Sequence, residues 1–425
     1  MKGYTTKSSA GPAPDLRVLG LETIRELETQ KGILAFSRQE IYGCIFGRDS
    51  LITALQLLQA YKGSRNAYFF QLAKKILLNL VSFQGKEVNV QSGEEPGKCI
   101  HEFRKNNHDH LTKKPKKPWY AYPDGTLRNY DSLDSTPLFL MAVYKYWKIT
   151  RDKKFLNAIL PNIKFALDWI LLYADNNKDG FLDYRLHPKR TFGGLAVQNW
   201  MDSDESLFHE DGRLINYPVA PVEVQAYAYA SLKAWGNYFS PVLPGYGAKL
   251  IARANRLKRD FNNKFIYFKK GKFNLASGVD NRGNLITAER SSMGHCLWAE
   301  LDKGDIILHE KYIPLLAKRV LEPDLFEPLA GIRTLSSMSV KFDPNSYHNG
   351  SIWPHDSGII LQGLRNFGFN AQAERVSRAI VSAINYFKTP LELFGFDGSY
   401  IEYKSLSGQA ACRKQAWSAA TLLIL

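Results

Sequence analysis

Leu138-Phe139-Leu140-Met141-Ala142-Val143 carries no polar side chain, so a helix built from it has no face to show to water. A little further on, Phe155, Ile159, Ile163, Leu167 and Ile170 recur at helical spacing and leave one apolar stripe on an otherwise polar surface. A helix without a polar face must be buried on every side, and a striped helix is what can cover it. The contrast repeats along the chain. Ala226-Tyr227-Ala228-Tyr229-Ala230 and Gly358-Ile359-Ile360-Leu361 are apolar all round, whereas Leu250, Ala254, Leu257, Phe261 and then Val376, Ile380, Ala383, Phe387 each mark a single stripe.

These periods predict striped helices near 17–29, 66–83, 153–173, 247–263, 308–320 and 370–387. All-round apolar helices are expected near 50–62, 135–149, 221–237, 292–300, 356–366 and 415–425. The fold class is all-α, with outer and inner helices alternating as an inner ring sheathed by an outer one. No Pro, Gly or Ser linker is long enough to cut the array, so residues 1–425 read as one domain.

The 425 residues are 45% hydrophobic and 23% charged, which excludes a disordered or fibrous chain. There is no apolar run long enough for a membrane span, and residues 1–12 hold no apolar leader core, so a cytoplasmic location is expected. Cys44, Cys99, Cys296 and Cys412 lie far apart and read as buried small hydrophobes rather than a disulfide or zinc framework. The 56 basic against 41 acidic residues leave +15. That excess is scattered and includes no recognition helix, which argues against nucleic acid. Its densest part, Lys113-Lys114-Pro115-Lys116-Lys117, lies in a loop beside Pro118-Trp119-Tyr120 and reads first as a solvated basic surface, with a rim that attracts an anionic sugar or acid as the alternative.

Charged and aromatic residues gather before each predicted inner helix. The loops are Phe46-Gly47-Arg48-Asp49-Ser50, Tyr130 to Thr136, Asn199-Trp200-Met201-Asp202-Ser203, Ser291 to His295, Tyr347 to Asp356, and Arg413-Lys414-Gln415-Ala416-Trp417. Loops at one end of parallel inner helices must share one mouth. Asp49, Asp134 and Asp356 stand where helix N-caps would, and capping alone accounts for such positions. Their neighbours Arg48, Trp200, His348, Trp353, His355 and Trp417 suggest more. Tryptophan faces stack on the C–H face of a sugar, while carboxylates and amides meet its hydroxyls.

Seven stretches, in order, resemble the amylo-α-1,6-glucosidase group of glycoside hydrolases. They are Phe46 to Ser50, Glu95-Pro96-Gly97-Lys98 with His101-Glu102-Phe103-Arg104, Asp134 to Phe139, Trp200 to Ser203, Val222-Glu223-Val224-Gln225, Gly331-Ile332-Arg333-Thr334-Leu335, and Ser346 to Asp356. The resemblance implies an (α/α)6 barrel, in agreement with the helix periods, and inverting hydrolysis by two carboxylic acids. It places the acid at Asp202, where Trp200 offers an apolar wall that raises a carboxyl pKa. It places the base at Glu392, although Leu391 is inserted where relatives join proline directly to glutamate; Asp397 and Glu402 are the rivals. Phe46, Arg48, Asp49, Asp134, Trp200, Arg333, His348, Asn349, Trp353, His355, Asp356, Gln415 and Trp417 would hold the substrate.

No cofactor is expected, and the partner is an oligosaccharide or polysaccharide. Asp175, Asn177, Asp179 and Asp183 have the spacing of a calcium loop, with Gly180 at the turn, but Leu186 replaces the closing glutamate, and a plain turn is the stronger reading. The N-terminal β-rich domain of debranching enzymes is not expected here. The implied activity is an exo-acting α-glucosidase favouring α-1,6 bonds. A glucosylglycerate or mannosylglycerate hydrolase and a non-catalytic sugar-binding barrel are the alternatives.

Overall fold

The computed structural model describes residues 15–302, 304–405 and 408–425. The stretch read for a leader, residues 1–12, lies outside them. Asp15 caps α1 (Leu16–Leu27), its carboxylate accepting from the Arg17 and Val18 N–H groups. There follow α2 (Gly47–Ser64), α3 (Ala67–Ser82), a single turn α4 (Asp109–Thr112), α5 (Ser135–Thr150), α6 (Lys153–Leu172) and α7 (Val222–Phe239). The chain continues with α8 (Pro244–Lys264), α9 (His295–Trp298), α10 (Ile313–Arg319), α11 (Pro354–Asn366), α12 (Asn370–Phe387) and α13 (Ala416–Leu422).

The all-round apolar helices pack on one another in sequence. α2 lies on α5, α5 on α7, α7 on α9, α9 on α11, α11 on α13, and α13 returns to α2. The striped helices sit against them, α1 on α13, α3 on α2, α6 on α5, α8 on α7 and α12 on α11. In α5 every residue from Ser135 to Tyr144 is buried, whereas α6 buries only its stripe, Phe155, Leu156, Ile159, Ile163, Ala166, Leu167, Trp169 and Ile170. Twenty residues of α6 are apolar enough by composition to cross a membrane, but the stripe is already covered by α5. One apolar core runs from Ile24 to Ile424.

The fifth pair departs from the predicted lengths. The helix expected at 292–300 is a tight turn, Ser291–Gly294, followed by the short α9, and the one expected at 308–320 is the turn Glu310–Tyr312 followed by α10. After Ala299 the polar residues serve other contacts. The Glu300 carboxylate accepts from the Gly304 N–H, and Asp302 accepts from Tyr144 and Lys148 of α5. Side chains that bond locally compete with helix propagation. The last helix, expected over 415–425, ends at Leu422.

Short strands, too brief for a period of two to register, frame the loops. Ile45–Phe46, Glu102–Arg104 and Leu127–Asn129 form one antiparallel sheet at the start of α2. This sheet presses on Gly47, whose N–H donates to the His101 carbonyl at 2.8 Å. A Cβ added at Gly47 would stand 2.0 Å from the Ile100 carbonyl oxygen, so backbone would have to move. Gly47→Ala should therefore lower stability by about 1–3 kcal/mol through overpacking. Thermal unfolding checks it, and a melting temperature equal to wild type would contradict the close approach.

Candidate active site

The loops before the inner helices surround a cavity of about 320 Å³. Its walls include Phe46, Arg48 and Asp49 from the start of α2, Trp200, Asp202 and Ser203 before α7, Tyr347, His348 and Trp353 before α11, Gln415 and Trp417 at α13, and Glu392. Four of the six loops thus supply the lining. The other two support it from behind: Asp134 binds Arg48, and His295 stacks on Trp200 with ring centroids 5.9 Å apart.

Arg48 organises the floor. Its Nε donates to Asp134 Oδ2 at 2.6 Å, Nη1 to Asp202 Oδ2 at 2.9 Å and Nη2 to the Asn199 carbonyl at 2.9 Å. Ser132 donates to the other Asp134 oxygen at 2.5 Å. The capping expectation is corrected here. Asp134 does occupy the N-cap position of α5 but makes no cap hydrogen bond, because its oxygens are committed to Arg48 and Ser132. Asp49 and Asp356 lie inside the first turns of α2 and α11, not at their caps.

Asp202 is 24% exposed, and burial pushes its carboxyl above the ordinary aspartate range against the pull of Arg48. Glu392 is 2% exposed. Its Oε1 accepts from the Tyr347 phenol, and its Oε2 accepts from the Cys412 N–H at 2.9 Å. Burial raises it to about 7, and those two donors oppose the rise. The inserted Leu391 is absorbed as a buried turn residue. Beyond it, Phe394 and Ile352 exchange backbone hydrogen bonds of 3.1 and 2.8 Å, so the Glu392 loop is tied to the Trp353 loop. The rivals are excluded from the cavity lining: Glu402 pairs with Arg413 at 3.8 Å, and Asp397 lies in the hairpin turn beyond Phe396.

Aromatic rings form the remaining wall. His348 stacks on Trp353 with centroids 5.0 Å apart, and His355 stacks beneath Trp417 at 3.6 Å. Trp200 stands edge-on to His348, Trp353 and His355. The ring nitrogens Nε1 of Trp200 and Trp417, Nε2 of His348 and the amide nitrogen of Gln415 are buried without a protein hydrogen-bond partner.

Three further expected residues stand one layer back. His355 lies behind Trp417, Asp356 accepts from or donates to His295 Nε2 at 2.7 Å, and Asn349 is held by Arg290 at 2.7 Å. Arg333 does not reach the cavity. Its guanidinium is taken by Glu327 at 2.9 Å and the Pro323 carbonyl at 3.3 Å, which anchors it to the neighbouring turn. The Asp175 loop also turns inward on itself: Asp175 accepts from the Gly180 N–H, Asn177 from Asp179, Asp179 from Phe181 and Asp183 from Asn176. Among the described residues no three His, Cys, Asp or Glu side chains gather as a metal site.

Sequence reasoning missed Tyr42, Tyr347, Glu102, Arg104 and Trp119, which also line the cavity. A signal existed for one pair: in Glu102-Phe103-Arg104 the charged residues share a strand face, and they form a buried ion pair. Tyr347 differs from other tyrosines only by its contact across the fold.

Two carboxylates, Asp202 part-buried and Glu392 buried, face with different partners a cavity walled with tryptophan, the arrangement of a glycoside hydrolase. Residues 118–424 match the family model described as amylo-α-1,6-glucosidase, and the chain belongs to that family. Similar folds occur in mannosylglycerate hydrolase from Thermus thermophilus in complex with Tris, at 15% identity and TM-score 0.64, covering 96% of this chain and 99% of that one. The same enzyme's glucose complex gives 16% identity, TM-score 0.64 and the same coverage. A glycosidase variant in complex with glucose gives 15% identity and TM-score 0.61, covering 96% of this chain and 95% of that one. Among curated proteins, none matches.

The cavity also sets a pH dependence. Burial raises Asp49 to about 8, and the charges of Asp202 and Glu392 add to the rise while Arg48 opposes it. Asp49 is then protonated in the folded chain where it would be ionised in the unfolded one. The folded state holds the extra proton between about pH 4 and 8, and stability falls as pH rises through that window. Asp49→Asn should remove this loss, so its melting temperature relative to wild type should increase from about pH 5 to about pH 8. A difference independent of pH would contradict the buried, protonated state.

Proposed function

We propose that this chain is an inverting, exo-acting α-glycosidase on an (α/α)6 barrel, releasing terminal glucose with preference for α-1,6 bonds. The observation that carries the reading is that Asp202 and Glu392, far apart in sequence, line one cavity. Asp202, the acid, gives its proton to the glycosidic oxygen as that bond breaks. Glu392, the base, takes a proton from the water that attacks the anomeric carbon on the opposite face. The closed circuit of helix contacts supports the barrel. A small cavity backed by the His355–Trp417 stack suits a chain end better than the middle of a glucan. Its tryptophan walls, with Arg48, Asp49 and Gln415 among the lining residues, suit a sugar whose C–H face stacks and whose hydroxyls meet polar side chains. Arg48, Asp49, Trp200, His348, Trp353, Gln415 and Trp417 would hold the terminal sugar, with Asp134, His355, Asn349 and Asp356 bracing them.

A second reading, a glucosylglycerate or mannosylglycerate hydrolase, keeps the chemistry and changes the substrate. The exposed run Lys113 to Lys117 lies between the lining residues Leu111 and Trp119. A cationic margin of this kind favours a carboxylate-bearing aglycone, the chemistry named for the mannosylglycerate hydrolase of similar fold.

Glucose release from isomaltose, panose, maltotriose, limit dextrin and glucosylglycerate separates the two readings. Asp202→Asn should lower turnover by at least about a hundredfold while leaving the fold intact, most severely for poor leaving groups. Glu392→Ala should lose activity and regain it with azide, and proton NMR of early product should show the β-anomer from an α-glucoside. Release of the α-anomer, or an Asp202→Asn enzyme near wild-type activity, would overturn the assignment.

A further inference from the structure

We propose that Tyr347 is the positioning residue of the base: its phenol holds one oxygen of Glu392, fixing the carboxylate toward the place where the attacking water must stand. The proposal rests on Glu392 acting as base. Tyr347 lines the cavity beside Glu392. Its Oη donates to Glu392 Oε1 while the Cys412 N–H holds Oε2, so both oxygens are held and the carboxylate plane cannot rotate freely.

The phenol is itself held. Its ring stands 4.6 Å from His348, 5.1 Å from Trp353 and 5.6 Å from Tyr403, centroid to centroid. Its backbone carbonyl accepts from Trp353 Nε1 at 3.0 Å and from the Ser351 hydroxyl at 2.6 Å. The paired Ile352 and Phe394 tie the loop that carries Tyr347 to the loop that carries Glu392. Packing alone would be served as well by phenylalanine; the hydroxyl is needed only for the carboxylate.

The hydrogen bond also selects a protonation state. A donor to a carboxylate favours its ionised form, the form a base requires. The titratable groups facing Glu392 are Tyr347, Tyr42, Tyr403, the Cys412 thiol, Glu40, and Asp49 with Asp202 across the cavity. Among these, Tyr347 supplies the leading opposition to burial. Burial and the charge of Glu392 keep the phenol protonated well above its ordinary range, so it remains a donor wherever the enzyme works.

The test is the pH profile of kcat/KM for Tyr347→Phe. Removing the donor should lower kcat by about ten- to a hundredfold and shift the acidic limb upward by about one to two pH units, with the alkaline limb and KM little changed. Site-specific 3-fluorotyrosine at 347 keeps the shape and donates more strongly, and it should move the acidic limb the other way. It also serves if the phenylalanine variant fails to fold. Unchanged acidic limbs in both proteins would overturn the proposal, as would equal shifts of both limbs. Glu392→Ala distinguishes the underlying reading. If that variant keeps activity, the base is elsewhere; if it is inactive and rescued by azide while the two Tyr347 proteins keep the wild-type profile, only the role of Tyr347 fails.

Discussion

The buried guanidinium of Arg48 is the interaction on which the mouth of the molecule depends. A charge at 3% exposure must be fully partnered, because leaving it unpaired in a low-dielectric interior is far costlier than the pairing is favourable. The planar fork of arginine permits what no lysine could: one face binds Asp134 at the start of α5, and the other reaches Asp202 and the Asn199 carbonyl in the loop before α7. Asn199 in turn donates to Glu223 of α7 at 2.8 Å. Three inner helices are thereby registered against one another by a single side chain, and the cavity takes its shape from that register.

Around this fixed point the two carboxylates experience different surroundings. Asp202 shares a cation with Asp134 and keeps partial contact with water. Glu392 is nearly sealed, with a phenol and a backbone amide as neutral donors. The two groups thus meet charge, solvent and hydrogen bonds differently, although both are carboxylates. The same sealed surroundings make Asp49 a protonated neighbour, which limits its charge repulsion with Asp202 and Glu392.

Low identity to the similar folds, 15% for mannosylglycerate hydrolase, accompanies nearly complete coverage of both chains. Packing explains this tolerance. An all-round apolar inner helix needs hydrophobic volume of about the right size, and many combinations supply it. The inserted Leu391 shows the same tolerance in a loop: its side chain goes into the core, and the backbone pairing of Phe394 with Ile352 restores the path of the chain.

Much of the architecture was legible in the residues alone. Periodicity distinguished inner from outer helices because burial on all sides, as in Leu138 to Val143, excludes polar residues from every face. The short motifs around Arg48, Asp202 and Trp353 marked the end of the array where chemistry gathers. Helix ends in the fifth pair were not legible, since beyond α9 the chain is drawn to α5 by Asp302, which accepts from Tyr144 and Lys148, contacts that no local pattern encodes. The partners of the charged residues were equally hidden. Arg333, set in a family-like motif, was drawn away by Glu327, and Tyr347 was brought to Glu392 by backbone pairing between loops. Sequence by itself determined which surfaces must leave water, because that depends on the side chains of each helix. Only the tertiary structure decided which charge meets which, because hydrogen bonds are directional and act over a few ångströms between residues far apart in the chain.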